Sequence, residues 1–375
     1  MTEKKPHSVD STAGQMIPFV HSPFVNSQKV YSPPPYPAPI DLHLDGNEGA
    51  AVSKELLAEV AAFDVEMVRR YPKNGPLETL LAKRFEVPSG NVIVTAGADD
   101  ALERIIRAAV GPGSEVLMPV PTFEMIDRYV QLAGGVVQPV LWLDGPFPLQ
   151  QMLQGINERT AMLAVVTPNS PTGLTVSFAD IAALSAAAPH LFLLVDLAYI
   201  EFADSDITAQ VLSLPNAIVT RTLSKAYGLA GARVGYALGC EEAIALMRAA
   251  GHPYAVSSIS LMLAMRRLQS DDGQMAIFVA EVRRQREALL SMLRENGITA
   301  GPSEGNFIFV TSPHSVELRN GLARHGIGVR GFSQVPHLDN ALRITVPGNR
   351  PHFDRLFHAL QTLIEELPPL KGTTP

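Results

Sequence analysis

Cysteine occurs once in this 375-residue sequence, as Cys240. A single thiol excludes an intrachain disulfide framework and a cysteine-based zinc site. The ten histidines are scattered and build no HExxH or closely paired motif, so no metal site is expected. Neither GxGxxG nor GxxxxGKS/T occurs, which weakens dinucleotide-binding and P-loop readings. No apolar run approaches the roughly eighteen residues of a membrane span. The opening MTEKKPHSVDSTAG lacks the apolar core of a secretion signal, so cytoplasm is the expected compartment. Basic residues are in deficit: 30 Lys and Arg face 37 Asp and Glu, a net charge of -7. That balance argues against a nucleic-acid or anionic-membrane partner. With 46% hydrophobic and 18% charged residues, the composition suits a soluble protein large enough for two domains.

What the chain does contain is a dense segment, Thr220–Tyr236, reading TRTLSKAYGLAGARVGY. Apolar runs flank it, Ala217–Val219 before and Val234–Leu238 after. Lys225 is its one lysine, set among small and apolar neighbours. Such surroundings strip hydration from an ammonium and favour the neutral amine, the form that attacks an aldehyde to make a Schiff base. Arg233 follows eight residues later, with Gly228 and Gly231 between them to let the backbone turn tightly. Thr222 and Ser224 add hydroxyls that can join Arg233 on a phosphate. A lysine for an aldehyde, with an arginine and hydroxyls for a phosphate, describes pyridoxal 5'-phosphate.

Three other stretches fit an α/β chain. Asn91–Gly111 reads strand, glycine turn, helix, with Leu102, Ile105, Ile106 and Ala109 at helical spacing. Gly97, Ala98 and Asp99 fall at the helix N-terminus, where free N–H groups favour an anion. Asp99 or Asp100 equally serves as an N-cap. AMLAVVTPNSPTG (Ala161–Gly173) is an almost wholly apolar strand, suited to the centre of a parallel sheet. Asn169 sits at its carboxyl end, where ligands collect in open α/β sheets. In Leu191–Phe202 an apolar run feeds into Asp196, with Tyr199 three positions on. A carboxylate closing a buried strand is costly unless paired. A pyridinium nitrogen would pair with it, and holding that nitrogen protonated makes the ring an electron sink.

The first forty residues end in the proline-rich VYSPPPYPAPI and are expected to form an extended arm. Towards the C-terminus the spacing predicts a helix over Val282–Asn296 stopped by Gly297. GNFIFV, GIGVR and ALRITV follow as short strands, separated by helices over 315–325 and 351–367. The expected division is an arm (1–40), a large cofactor-binding domain (41–265) and a small α/β domain (266–375).

RTLSKAYGLAGARVGY resembles the cofactor-lysine signature of fold-type I, class I/II aminotransferases, most of all the histidinol-phosphate aminotransferase branch. The motifs span about Leu42 to Val346 and keep that family's order. The resemblance implies an α/β fold with a mostly parallel central sheet in the large domain, a small C-terminal domain and a homodimer. It makes Lys225 the cofactor lysine and general base, Asp196 the partner of the ring nitrogen, and Tyr199 with Asn169 the contacts of the 3'-oxygen. Phe123, in VPTF, is expected to stack on the pyridine. Arg233, Thr222, Ser224, Gly97, Ala98 and Asp99 are expected around the phosphate, with Tyr71, in RRYP, arriving from a second subunit. Arg343 is the implied grip for the substrate's α-carboxylate, and Arg330 the implied contact of a distal phosphate. Asn47 and Asn306 are expected on the substrate side, and either Tyr31 or Tyr36 brings an aromatic contact from the arm.

The chain departs from the family at Asp45, Gly46 and Gly49 in LHLDGNEGA, at Ser170 in PNSPTG and at Leu197 in DLAY. The implied function is a pyridoxal-phosphate aminotransferase for histidinol phosphate or a related amine, with a 2-oxo acid as acceptor. A decarboxylase of the threonine-phosphate type and an aromatic or specialised aminotransferase are the alternatives. A ligand-sensing domain of a transcription factor would need a basic DNA-binding module, which the acidic balance does not offer.

Overall fold

The apolar runs become strands of two sheets. A computed structural model of the protein describes residues 22–26, 35–61, 64–270, 273–332 and 335–368. Among these the strands are β1 (Leu42–Leu44), β2 (Val92–Thr95), β3 (Glu115–Val120), β4 (Val136–Leu141), β5 (Thr160–Val166), β6 (Phe192–Asp196), β7 (Ala217–Thr222), β8 (Gly235–Gly239), β9 (Thr299–Ala300), β10 (Phe307–Thr311), β11 (Ile327–Gly331) and β12 (Ala341–Thr345). The larger sheet runs β2-β8-β7-β6-β5-β3-β4. Only β8 is antiparallel to its neighbours. The carboxyl ends of β2, β3, β5, β6 and β7 therefore share one edge, the edge where open α/β sheets bind ligands.

The continuous apolar strands are explained by burial on both faces. In β5, Leu163 and Val165 pack into one hydrophobic layer, while Met162, Ala164 and Val166 pack into the other. The same period of two sends Leu193 and Val195 of β6 one way and Leu194 the other. Helix Gly97–Ala109 covers one face with Ala101, Leu102, Ile105 and Ile106. Helix Phe178–Ala187 contributes Ile181 and Leu184 to the layer on the opposite face. Truncating a fully buried side chain such as Leu163 to alanine would cost about 2–5 kcal/mol.

The smaller sheet runs β1-β11-β12-β10-β9. The long helix before it covers Gln274–Glu295, starting well before the expected Val282. Its end matches expectation: Gly297 takes φ 72°, and Ile298 N–H closes the helix onto Leu293 O at 2.9 Å. One boundary is corrected. The division at residue 41 assigns Leu42–Leu44 to the large domain, yet β1 pairs in parallel with Ile327–Val329 of the small sheet. Three residues carry too weak an alternation to reveal a strand partner nearly 300 positions away.

Candidate active site

Lys225 follows β7 and points at the segment that links the two sheets. Its Nζ donates to Gly46 O at 2.8 Å and lies 5.6 Å from the centre of the Tyr199 ring. The approach depends on two glycines. A Cβ on Gly49 would lie 1.8 Å from Lys225 O, and one on Gly228, at φ 71°, would lie 2.1 Å from Ala50 O. The unusual Gly49 therefore answers a backbone-to-backbone contact that no larger residue permits.

Asp196 ends β6 and is buried. Thr220 Oγ1 donates to its Oδ1 at 2.9 Å. Burial pushes its carboxyl up to about 6, against the hydrogen bonds from Thr220 and Ala198 N–H that pull it down. The Tyr199 phenol lies edge-on to Phe307, ring centres 5.1 Å apart, and accepts from Asn47 Nδ2 at 3.1 Å. Burial raises this phenol, but Lys225, Arg343 and the hydrogen bonds from Asn47 and Ser170 outweigh it and leave it below the ordinary tyrosine value.

Gly97 takes φ 83° at the start of its helix, and a Cβ there would lie 2.6 Å from Arg233 Nη2. Gly235 packs equally closely on the other side, so the helix N-terminus, β8 and Arg233 form one tight cradle. Arg233 itself is left-handed, φ 52°, and pairs with the Asp99 carboxylate at 3.0 Å. Any anion in the cradle competes with that carboxylate for the guanidinium, so Asp99 can favour an anion only through its backbone N–H. Thr222 Oγ1 donates to Ser224 Oγ at 2.9 Å.

A cavity of about 440 Å³ gathers these groups: Lys225, Asp196, Tyr199, Phe123, Thr222, Ser224, Arg233, Ala98 and Asp99 line one hole. A larger cavity of about 730 Å³ shares Gly46, Phe123, Ser170, Tyr199 and Lys225 with it and extends to Arg330 and Arg343. The donor set fits pyridoxal 5'-phosphate. One amine faces a buried carboxyl and a phenol, and a helix N-terminus, an arginine and two hydroxyls stand together at another wall. Residues 44–360 match the family of class I and II aminotransferases.

The chain belongs to that family. It is therefore a pyridoxal-phosphate-dependent transaminase of fold-type I. It is 32% identical over 303 residues to an aromatic amino acid aminotransferase of Corynebacterium efficiens, covering 78% of this chain and 85% of the relative. It is 33% identical over 296 residues to a histidinol-phosphate aminotransferase of Thermoanaerobacter pseudethanolicus, covering 78% and 83%. The structure of histidinol-phosphate aminotransferase from Sinorhizobium meliloti in complex with pyridoxal-5'-phosphate superposes with TM-score 0.82 at 24% identity. That match covers 93% of this chain and 98% of the other.

Several residues expected in this aminotransferase site stand elsewhere. Asn169 lines neither cavity. Its Nδ2 donates to Pro121 O at 3.0 Å and Thr172 Oγ1 at 2.8 Å, and its Oδ1 accepts from Thr122 at 2.7 Å. An amide has two N–H groups; one is used across to the loop after β3 and one within the turn. Ser170, its neighbour, lines both cavities. Asn306 also lines neither cavity; its Nδ2 holds the Asn47 carbonyl at 3.0 Å. Asn47 is buried at φ 54° and tied to Thr345 and Tyr199, so both asparagines shape the 46–50 segment rather than face open space.

Tyr36 is likewise not a cavity residue. Its hydroxyl donates to Asp45 Oδ2 at 2.5 Å, and Val329 O lies 3.1 Å away. Tyr31 lies outside the described residues. Tyr71 lines neither cavity of its own chain; it is 76% exposed and stacks on Tyr254, 4.5 Å between ring centres. Arg343 does reach the site: Nη1 donates to Ser170 Oγ at 2.9 Å and Nη2 to Asp45 O at 2.6 Å. Ser170 and Glu124 are the residues missed. Each directly adjoins a residue of a quoted motif, and the departure at Ser170 was itself the available signal.

Among the described residues no helix is long and apolar enough to cross a membrane, and no group of metal-ligating side chains occurs.

Proposed function

We propose that this aminotransferase takes amino donors with a flat, apolar side chain, aromatic amino acids above all, and a 2-oxo acid as acceptor. The observation that carries this is the wall of the larger cavity. Met118, Val120, Phe123, Val137, Phe332 and Leu338 line it, and burying a ring against such a wall is favourable by roughly 25 cal/mol per Å². The distal arginine, Arg330, already donates to Glu124 at 3.0 Å, and Asp127 lines the same region. A doubly charged phosphate placed there meets two carboxylates, which disfavours histidinol phosphate.

In this reading Lys225 carries the cofactor and, once released, its Nζ takes and returns the proton at the substrate Cα. Bound there, pyridoxal phosphate supplies an aldehyde for the amine and a ring that accepts the electrons left on Cα. Asp196 would hold a proton on the ring nitrogen, Tyr199 and Ser170 would meet the 3'-oxygen, and Phe123 would pack on the ring. Arg233, Thr222, Ser224 and the Gly97–Asp99 backbone would hold the phosphate. Arg343 grips the α-carboxylate with a planar fork, for which lysine is a poor replacement.

We also place the enzyme in the cytoplasm as a homodimer. Support for the dimer comes from Tyr71, exposed in a groove that Met67, Val68 and Ile259 also line. The division into residues 41–265 and 266–375 is retained, with β1 as its exception. The deciding experiment is a donor panel of phenylalanine, tyrosine, tryptophan and histidinol phosphate, each with pyruvate and with 2-oxoglutarate. Higher kcat/KM for histidinol phosphate than for every aromatic donor would sink the substrate assignment.

A further inference from the structure

Arg330 and Arg343 are register partners on β11 and β12, so their side chains leave the same face of the small sheet. Two guanidiniums placed directly opposite repel unless an anion or acceptor separates them. Arg343 turns towards Ser170 and the Asp45 carbonyl, while Arg330 turns towards the Glu124 carboxylate. The two halves of the Arg330–Glu124 pair differ in freedom. Arg330 is 12% exposed and carried by a strand, whereas Glu124 is 51% exposed on the first residue of helix Glu124–Leu132. The glutamate can swing into water with little loss; the arginine cannot. Both line the larger cavity, on the wall that also carries Phe332.

We propose that Glu124 is a specificity-determining residue, an internal carboxylate that occupies Arg330 and sets how well the cavity accepts a distal anion. The inference rests on reading that cavity as the place for the substrate's side chain. A carboxylate or phosphate at the far end of a substrate must displace Glu124 from Arg330 and then lie beside it. A neutral ring leaves the pair intact and stacks against the apolar wall. Amino donor and 2-oxo acid enter the same site in turn, so Glu124 acts on both. It penalises dicarboxylic partners relative to aromatic ones without touching the α-carboxylate grip at Arg343.

The test uses the full-length holoenzyme and two acids that cannot react, glutarate and 3-phenylpropionate, with dissociation constants measured by calorimetry. Glu124→Gln should lower the ratio of the glutarate constant to the 3-phenylpropionate constant about fivefold, the scale of one partly exposed ion pair. The same substitution made in an Arg330→Met background should change the ratio by less than about twofold, because the cation it releases is gone. A Glu124→Gln ratio equal to wild type, or a shift that persists undiminished without Arg330, would overturn the proposal. Binding of 3-phenylpropionate by each variant verifies folding. Neither acid is turned over, so the outcome is independent of the donor panel. An enzyme inactive on aromatic donors that still shows the Arg330-dependent shift loses its substrate assignment and keeps this role for Glu124.

Discussion

The Ser170 hydroxyl accepts a hydrogen bond from Arg343 Nη1 at 2.9 Å across 173 residues of sequence. One oxygen thus joins the turn after β5 to the strand that carries Arg343. Ser170→Ala breaks that link, while the bond from Arg343 to the Asp45 carbonyl remains. Loss of kcat/KM by about tenfold is expected, mostly as a higher KM for the amino donor. Ser170→Asn, which retains a donor and an acceptor, should recover most of it. Unchanged steady-state constants in Ser170→Ala would refute the bridge.

Asp196 links cofactor chemistry to pH-dependent stability. Its folded value of about 6 lies above the ordinary 3.8, so the protonated form favours folding. For a raised carboxyl that contribution is fully present below about pH 3.8 and is lost as pH rises through about 6. The difference corresponds to about 3 kcal/mol in the cofactor-free protein. Asp196→Asn should therefore raise the denaturation midpoint of the apoprotein at pH 7, with the gap to wild type closing towards pH 4. Transamination by the same variant should collapse. A pH-independent gap in urea titrations would contradict the burial argument.

The larger sheet was legible because its strands are apolar on both faces and end in polar turns. Asp196 is legible as a charged residue closing a buried run, and Lys225 as a lone lysine among small and apolar neighbours with Arg233 eight residues on. Legibility failed where a side chain's direction decides its role. Asn169 and Ser170 are neighbours in one turn, and only the fold reveals that the amide is consumed by Pro121 and Thr172 while the hydroxyl faces the site. The resemblance leaves the arm's aromatic contact open between Tyr31 and Tyr36. The partner of Tyr36 is Asp45, one of the three departures in LHLDGNEGA, and neither position hints at the other. Glu124 drew no attention because its partner Arg330 lies 206 residues away.

Gly97 is fixed by two constraints at once, a φ of 83° and the Arg233 guanidinium 2.6 Å from where a Cβ would stand. Gly97→Ala should cost about 1–2 kcal/mol of stability. Displacing Arg233 should also weaken retention of pyridoxal phosphate, read by dialysis against buffer and the loss of visible absorbance. A variant that folds with wild-type stability and keeps its cofactor would show that the cradle is looser than drawn.

Lys225 is the one amine lining the smaller cavity. Lys225→Ala should abolish turnover, by at least about a thousandfold, and with it the visible absorbance that bound pyridoxal phosphate owes to the lysine. The comparison with Lys225→Arg separates charge from chemistry. Arginine keeps a donor near Gly46 O but offers no free amine, so it should be equally inactive. Turnover near wild-type rate in either variant would end the assignment.

Tyr71 is 76% exposed, yet it stacks on Tyr254. Met67, Val68, Tyr71 and Ile259 line a groove together with Arg69, Arg70, Ser257 and Ser258. Exposed apolar side chains gathered in this way are the surface on which the proposed dimer is tested. Sedimentation velocity should give twice the 40.4 kDa chain mass. Val68→Asp, which places a charge in that surface, should shift the protein towards monomer and weaken cofactor retention in parallel. Tyr71→Phe should leave the dimer intact; if Tyr71 reaches the neighbouring subunit's phosphate, the dissociation constant for pyridoxal phosphate should rise several-fold, one hydrogen bond being worth about 1 kcal/mol. A monomeric wild-type enzyme with full activity would remove both the dimer and the role of Tyr71 in one measurement.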